Sequence, residues 1–325
     1  MDSASRARPV IALAMGDPCG ISPELTAKVV ALEEIRKAAR VVVIGDRRVF
    51  DEGARIAGVT PTAEFVDLNH LDPSTVQRAV ASKAGGASAL ANYRHALRMA
   101  ADGKADAVCF TPFNKQAMRL AHPPYEDEIG FTSGVLGFRG AATEFNILEG
   151  LWNARVTSHI PLGKVSSALS IDSIVGALEL TATALRAAGF QPPRIGVAAL
   201  NPHAGDGGNF GREEIDIIEP AVKKAKAKGL PADGPYPADT VFVRAKAGQF
   251  DAVLTMFHDQ GQIAMKLLGF DRGVTLLGGY PFPICTPAHG TAYDIAGKGI
   301  ANVGAARAAL LLAARMAHRR ATVTS

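Results

Sequence analysis

The chain has 325 residues, 48% hydrophobic and 20% charged, enough for a sizeable core built as one large domain or two lobes. Lysine plus arginine exceed aspartate plus glutamate by only 35 − 31 = 4, and no basic run is interleaved with aromatic residues, which argues against a nucleic-acid partner. The pI near 9.0 fits a mild attraction for anionic metabolites and cofactors instead. Cys19, Cys109 and Cys285 form neither an even disulfide framework nor a zinc spacing, and the apolar run near the start is too short for an export signal or a membrane span. A reducing cytoplasm with no membrane partner is the expected setting.

In chain order, VIALAM reads as a buried first strand. It meets GDPCGISPELTAK, residues 16–28, a glycine-bearing turn that opens a helix, with Ser22 or Asp17 as the expected cap and Pro23 in the first turn. That segment lacks the spacing of a Rossmann or a P-loop motif. Further short apolar runs, RVVVIGD, DAVCFTP, ARVTSHI, RIGVAAL and DAVLTMF, have the Val, Ile and Ala content of strands covered on both faces. Segments of helical spacing separate them, among them SALANYRHALRMAADG, IVGALELTATALRAAG and REEIDIIEPAVKKAKAKG. The alternation predicts an α/β protein with a largely parallel sheet. GLPADGPYPAD reads as a structured loop, and no repeat or linker divides the chain.

Three histidines lie in polar, turn-rich segments: His159 in VTSHIPL, His203 in NPHAGDGGNFGREE and His258 in MFHDQG. Taken singly, each has the character of a polar loop residue. Three imidazoles with carboxylates nearby nevertheless suit a borderline divalent metal and leave a position open for a substrate oxygen. Near the end, HGTAYDIAGKGIANVGAARAAL, residues 289–310, is a glycine-rich loop running into an apolar helix, arranged so that backbone can approach a planar or phosphorylated ligand.

The words HGTA, DIAGKG and IAN resemble the adenosine-binding loop of the isocitrate and isopropylmalate dehydrogenase superfamily, which holds NAD without a Rossmann fold. Within it the chain is similar to the PdxA family, from GDPCGISPEL through TPFNK, SHIPL, LNPHAGDGGNFGREEIDIIEP, GPYPADTVF and FHDQG to HGTAYDIAGKG. The resemblance implies that superfamily's α/β/α fold with two lobes and a cleft, a cofactor lobe of residues 1–128 plus 270–325, and a metal and dimer lobe of residues 129–269. It implies NAD held by His289, Gly290, Asp294, Gly297 and Asn302, with Asp294 on the ribose hydroxyls disfavouring a 2′-phosphate. It also implies a divalent ion on His159, His203 and His258, with Zn²⁺ leading and Co²⁺, Ni²⁺ and Mn²⁺ open. Asp239 and Asp259 are the implied acids of the site, and a homodimer sharing the site between subunits is implied as well.

A metal on three imidazoles favours the alkoxide of a substrate hydroxyl, which can then give hydride to nicotinamide. A carboxylate β to the new ketone would leave as CO₂, so the expected reaction is oxidative decarboxylation of a 3-hydroxy acid. Lys115 is a candidate proton donor or substrate contact, or else a helix-start residue on the surface. The departures from the family concern substrate. GFTS at 130–133 stands for the vitamin-pathway enzymes' GHTE, keeping Thr132 and placing Phe131 for histidine, and the phosphate-facing positions carry Lys266, Thr275 and Ile284. Arg272 is a candidate replacement for the missing arginine, and Glu126, Asp127 and Glu128 read as a solvated charge run.

Two substrate readings stay open. One is a phosphorylated hydroxy acid such as 4-hydroxythreonine 4-phosphate or a four-carbon sugar-acid phosphate. The other is a cis-dihydrodiol of an aromatic dicarboxylate such as terephthalate, with Phe131, Tyr280 and Phe282 either around its ring or in the core. A non-catalytic binding protein would not need intact histidines and DIAGKG, and a metallohydrolase would leave the adenosine-type loop unexplained.

Overall fold

The computed structural model describes residues 8–323. The chain forms two compact units, one running to Thr143 and resuming at Val274, the other spanning Glu144–Gly273. Relative to borders expected at 128 and 270, the first unit keeps one more helix. Glu128–Leu136 stays there because Phe131 stacks on Tyr93, 5.8 Å between ring centroids, and Thr132 shares a 2.6 Å hydrogen bond with the Tyr93 hydroxyl.

The first unit carries β1 (Val10–Ala14), β2 (Arg40–Gly45), β3 (Glu64–Asp67) and β4 (Ala107–Phe110). The second carries β5 (Thr143–Leu148), β6 (Leu151–Arg155), β7 (Ile195–Ala198), β8 (Ala232–Tyr236) and β9 (Ala252–Thr255). The chain returns to the first unit with β10 (Val274–Gly278) and β11 (Ile284–Pro287).

In the first unit the strand order is β3-β2-β1-β4-β11-β10, parallel except for the hairpin of β10 and β11. In the second it is β5-β6-β9-β7-β8, parallel except for the hairpin of β5 and β6. Ile11 through Ala14 are all buried; successive residues point to opposite faces, so both faces of β1 are covered. Helix Lys83–Ala101 starts where the Ser82 hydroxyl accepts from Gly85 N, and it passes so close to helix Lys115–Ala121 that a Cβ on Gly86 would lie 1.9 Å from Ala117 O.

Five of the six apolar runs noted in the sequence become β1, β2, β4, β7 and β9, whereas ARVTSHI supplies only the last two residues of β6 and otherwise forms the exit that follows it. GLPADGPYPAD departs from expectation, because residues Ala232–Tyr236 pair with β7 as an irregular edge strand. An edge strand tolerates proline, since one side of its backbone has no ladder partner. The predicted cap of the first helix also differs: Ile21 is the N-cap residue, and Ser22 donates its hydroxyl to Pro112 O at 2.8 Å. All three cysteines are buried and free. Among the described residues no single helix is long and apolar enough to cross a membrane.

Candidate active site

In open parallel sheets, ligand-binding groups collect at the carboxyl ends of the strands. In the second unit β6, β9 and β7 are neighbours, and His159, His258 and His203 follow their carboxyl ends. Past the strands, Val156 N donates to Thr255 O and Thr157 N to Met256 O, so the two exits run side by side. This brings the rings of His159 and His258 together with 5.6 Å between centroids. His258 Nδ1 lies 2.6 Å from Asp259 Oδ1, which leaves Nε2 for a ligand and orients the ring. Gln260 fixes the same turn, accepting from Met256 N and donating to Ala199 O, each over 2.7 Å.

His203 opens a run of left-handed residues through Gly207, and His159 is left-handed as well, each histidine with φ of 53°. Non-glycine residues in that region cost energy and collect at functional sites. The run is organised by Glu214, a buried carboxylate that the sequence did not bring to notice. Its Oε1 accepts from Leu200 N and Asn201 N, each over 2.8 Å, and Oε2 accepts from the Asn201 amide at 2.9 Å. Among the described residues of a single chain, no three His, Cys, Asp or Glu side chains converge as metal ligands. His159, His258 and Asp259 come together; His203 shares their sheet edge, with its ring beside Phe210. Asp239 is exposed in the first turn of helix Ala238–Lys246, and Lys266 is exposed on helix His258–Gly269.

In the first unit the turn after β1 and the glycine-rich loop at 289–304 are joined. Ile21 N donates to Thr291 O at 3.0 Å, and the Tyr293 hydroxyl donates to Asp17 Oδ2 at 2.5 Å. Burial raises the Asp17 pKa against the lowering effect of its bonds from Tyr293 and Cys19, and burial together with the Asp17 carboxylate raises that of Tyr293. From helix Ser22–Ala31, Glu24 accepts from Gly299 N and Ala301 N at 3.1 and 2.9 Å, while Lys28 donates to the carbonyls of the same two residues. The pair clamps the loop by its backbone. The ELTAK spacing, one helical turn from Glu24 to Lys28, was the available signal, but its target lies about 270 residues away in sequence.

Asp294 is exposed in the turn Tyr293–Ile295, His289 Nδ1 lies 3.0 Å from Gly290 O, and Asn302 Oδ1 accepts from Gly304 N to start the final helix. Gly290 has no atom within 4 Å of a hypothetical Cβ, whereas Gly297, at φ +76°, would meet Arg78 at 2.6 Å. The loop thus offers an exposed glycine, the His289 ring and an exposed carboxylate.

Lys115 starts helix Lys115–Ala121 after the Asn114 cap, and its ammonium lies 3.2 Å from Glu128 Oε2. The acidic run 126–128 is not uniformly solvated: Glu126 is exposed, Asp127 caps Gly130 N, and Glu128 is buried against Lys115. Thr132 and Ile284, expected to face a ligand, are each 0% exposed within the core of the first unit. Thr132 is engaged by Tyr93, and Ile284 pairs in register with Val108 and Leu277, where an isoleucine satisfies the interior. Thr275 is half-buried on β10 opposite Thr286. Phe282 is a core residue, and Phe131 and Tyr280 are half-buried against that core, the Tyr280 hydroxyl bonding Ser133 Oγ and Ile129 O.

Residues 37–313 match the family model described as pyridoxal phosphate biosynthetic protein PdxA. The chain belongs to the PdxA family. A Rhizobium meliloti protein provisionally named 4-hydroxythreonine-4-phosphate dehydrogenase 2 is 61% identical over 100% of this chain and 98% of its own length. A Symbiobacterium thermophilum protein provisionally named D-threonate 4-phosphate dehydrogenase is 36% identical over 95% of this chain and 97% of its own. Among solved structures, the Klebsiella pneumoniae 4-hydroxythreonine-4-phosphate dehydrogenase superposes with a TM-score of 0.83 at 32% identity, covering 97% of this chain and 99% of the other. A terephthalate 1,2-cis-dihydrodiol dehydrogenase from Burkholderia xenovorans gives 0.67 at 29% identity, covering 94% and 98%. The PdxA fold, of the isocitrate/isopropylmalate dehydrogenase type, is therefore the fold of this chain.

Proposed function

We propose that this PdxA-family chain is a metal-dependent, NAD-linked dehydrogenase that oxidises the CH–OH group of a 3-hydroxy acid, with loss of CO₂ when a carboxylate lies β to the new ketone. The observation that carries the metal assignment is the pairing of His159 with His258, the latter oriented by Asp259, at a sheet edge that His203 also borders. A bound divalent ion supplies a Lewis acid for the substrate hydroxyl. His159, His203 and His258 would hold it, drawing on a second copy of the chain to complete the set. Support for a homodimer comes from large apolar side chains left exposed on the second unit, with Leu267 at 84%, Leu162 at 70%, Val243 at 68% and Ile263 at 62%.

The loop 289–304 would take the adenosine end of NAD, with Asp294 facing the ribose hydroxyls and the clamp of Glu24 and Lys28 keeping the loop in shape. Lys115, held by Glu128, would carry a proton to or from substrate. Asp239 is retained as an acid of the assembled site.

For substrate, the names of the Rhizobium and Symbiobacterium relatives favour a phosphorylated four-carbon hydroxy acid, with Lys266 and Thr275 as its candidate phosphate contacts. A second reading, an aromatic cis-dihydrodiol, is favoured by the likeness to the Burkholderia xenovorans terephthalate 1,2-cis-dihydrodiol dehydrogenase. NADH formation by metal-loaded protein with 4-hydroxythreonine 4-phosphate, D-threonate 4-phosphate and a terephthalate-type cis-dihydrodiol tests both. Turnover of a phosphate ester supports the first reading, turnover of the diol alone supports the second, and failure of NAD to bind the metal-loaded protein removes the dehydrogenase reading.

A further inference from the structure

A cavity of about 400 Å³ lies in the first unit between helix Lys83–Ala101, the segment 122–127 and helix Glu128–Leu136. Neither the metal histidines nor any residue of the 289–304 loop lines it. Arg94 and Arg98, one helical turn apart, both reach it, and among the described residues neither guanidinium pairs with a carboxylate. The Arg94 guanidinium sits 5.3 Å from the centre of the Phe131 ring, and the His122 ring meets that phenyl group edge-on at 6.3 Å. Tyr125 and Val135 add apolar wall, and the carboxylate of Glu126 stands at the exposed rim.

Two cations against one carboxylate leave this concavity with an uncompensated positive charge beside an aromatic surface. The volume exceeds what an inorganic oxyanion fills and falls within the range of small-ligand sites, about 300 to 1,000 Å³. Two guanidinium groups against the Glu126 carboxylate leave the lining with a net charge of about +1, which a monoanion balances.

We propose that this cavity is a binding site for a small organic monocarboxylate. The carboxylate is held by Arg94 and Arg98, and the apolar body lies against Phe131 and Val135. Such a contact consists of charge-assisted hydrogen bonds, so affinity falls as salt rises. Phe131, weighed above as a ring contact for an aromatic substrate, lines this cavity, whereas Arg94 and Arg98 have no part in the dehydrogenase reading, so their binding of a carboxylate survives if that reading fails.

The test is calorimetric titration of the full-length protein with benzoate. The expected result is saturable binding at one site per chain, weakened about tenfold or more by Arg98→Ala and abolished by Arg98→Glu. Arg98 is exposed, so both variants retain the fold, which circular dichroism verifies. Lys266→Ala, which alters the other proposed anion contact, leaves the affinity unchanged. The proposal is overturned if the wild type shows no saturable binding or if Arg98→Ala binds as well as the wild type. It is equally overturned if the Lys266 variant is the one that loses benzoate, or if inorganic phosphate displaces benzoate at equal concentration.

Discussion

Tyr293 donates its hydroxyl to the buried carboxyl group of Asp17 across 276 residues of sequence, closing the glycine-rich loop onto the turn that follows the first strand. The bond stands beside the backbone contact from Ile21 N to Thr291 O, so one side chain and one peptide group hold the same two segments. Tyr293→Phe keeps the ring and deletes the bond. The expected cost is about 1 to 3 kcal/mol in urea unfolding, with faster amide exchange confined to residues 289–297.

Asp17 also makes stability depend on pH. Burial holds its pKa above the ordinary 3.8, so the folded chain keeps a proton that the unfolded chain has already lost. The stability this provides is complete below the ordinary value and is lost as pH rises through the raised native value. Asp17→Asn cannot ionise and escapes that loss. Its melting temperature relative to wild type therefore climbs with pH across this window and then levels; a difference that is flat with pH would refute the assignment.

For the histidine set, His203→Ala and His258→Ala are expected to lose stoichiometric metal while size-exclusion chromatography still reports the same folded species as wild type. Asp259→Asn keeps the ligand but loosens its orientation, weakening metal affinity by about 10- to 100-fold. Elemental analysis after dialysis against a chelator buffer reads both effects, and a metal-replete His203→Ala protein would contradict the proposed ligand set.

Lys115 and Glu128 are expected to act as one unit. Lys115→Ala removes the ammonium and strands a carboxylate whose side chain is only 12% exposed, so kcat falls by about a hundredfold or more if the lysine moves a proton. Glu128→Gln is milder, and the double variant is no worse than Lys115→Ala alone. Equal and additive losses, appearing in KM alone, would point to a binding contact.

Placing arginine at 284 is expected to damage the fold. The site lies inside the core of the first unit, and an uncompensated buried charge costs about 3 kcal/mol or more. Ile284→Arg should lower the urea midpoint with no gain in turnover of a phosphorylated substrate, whereas a stable variant with improved turnover would mean that the side chain reaches the ligand.

Much of this protein was legible in the order of its residues. Uninterrupted Val, Ile and Ala runs such as VIALA and VVVIG announce strands covered on both faces, because consecutive side chains of a strand point in opposite directions and both sets are buried. The histidines and the HGTAYDIAGKG loop mark themselves, by residue type and glycine spacing, as candidate ligand-binding segments. What the linear order cannot carry is direction and distance. Thr132 and Ile284 had the address of ligand contacts, yet their side chains turn into the core, because helix register and strand alternation decide which face a residue occupies. Glu126, Asp127 and Glu128 are alike in sequence and have three separate fates, since a cap, a buried ion pair and an exposed rim are defined by neighbours brought from elsewhere. The clamp of Glu24 and Lys28 on residues 299–301, the hold of Glu214 on the His203 turn and the bond from Tyr293 to Asp17 exist only after chain reversal brings distant backbone within about 3 Å, where hydrogen bonds form.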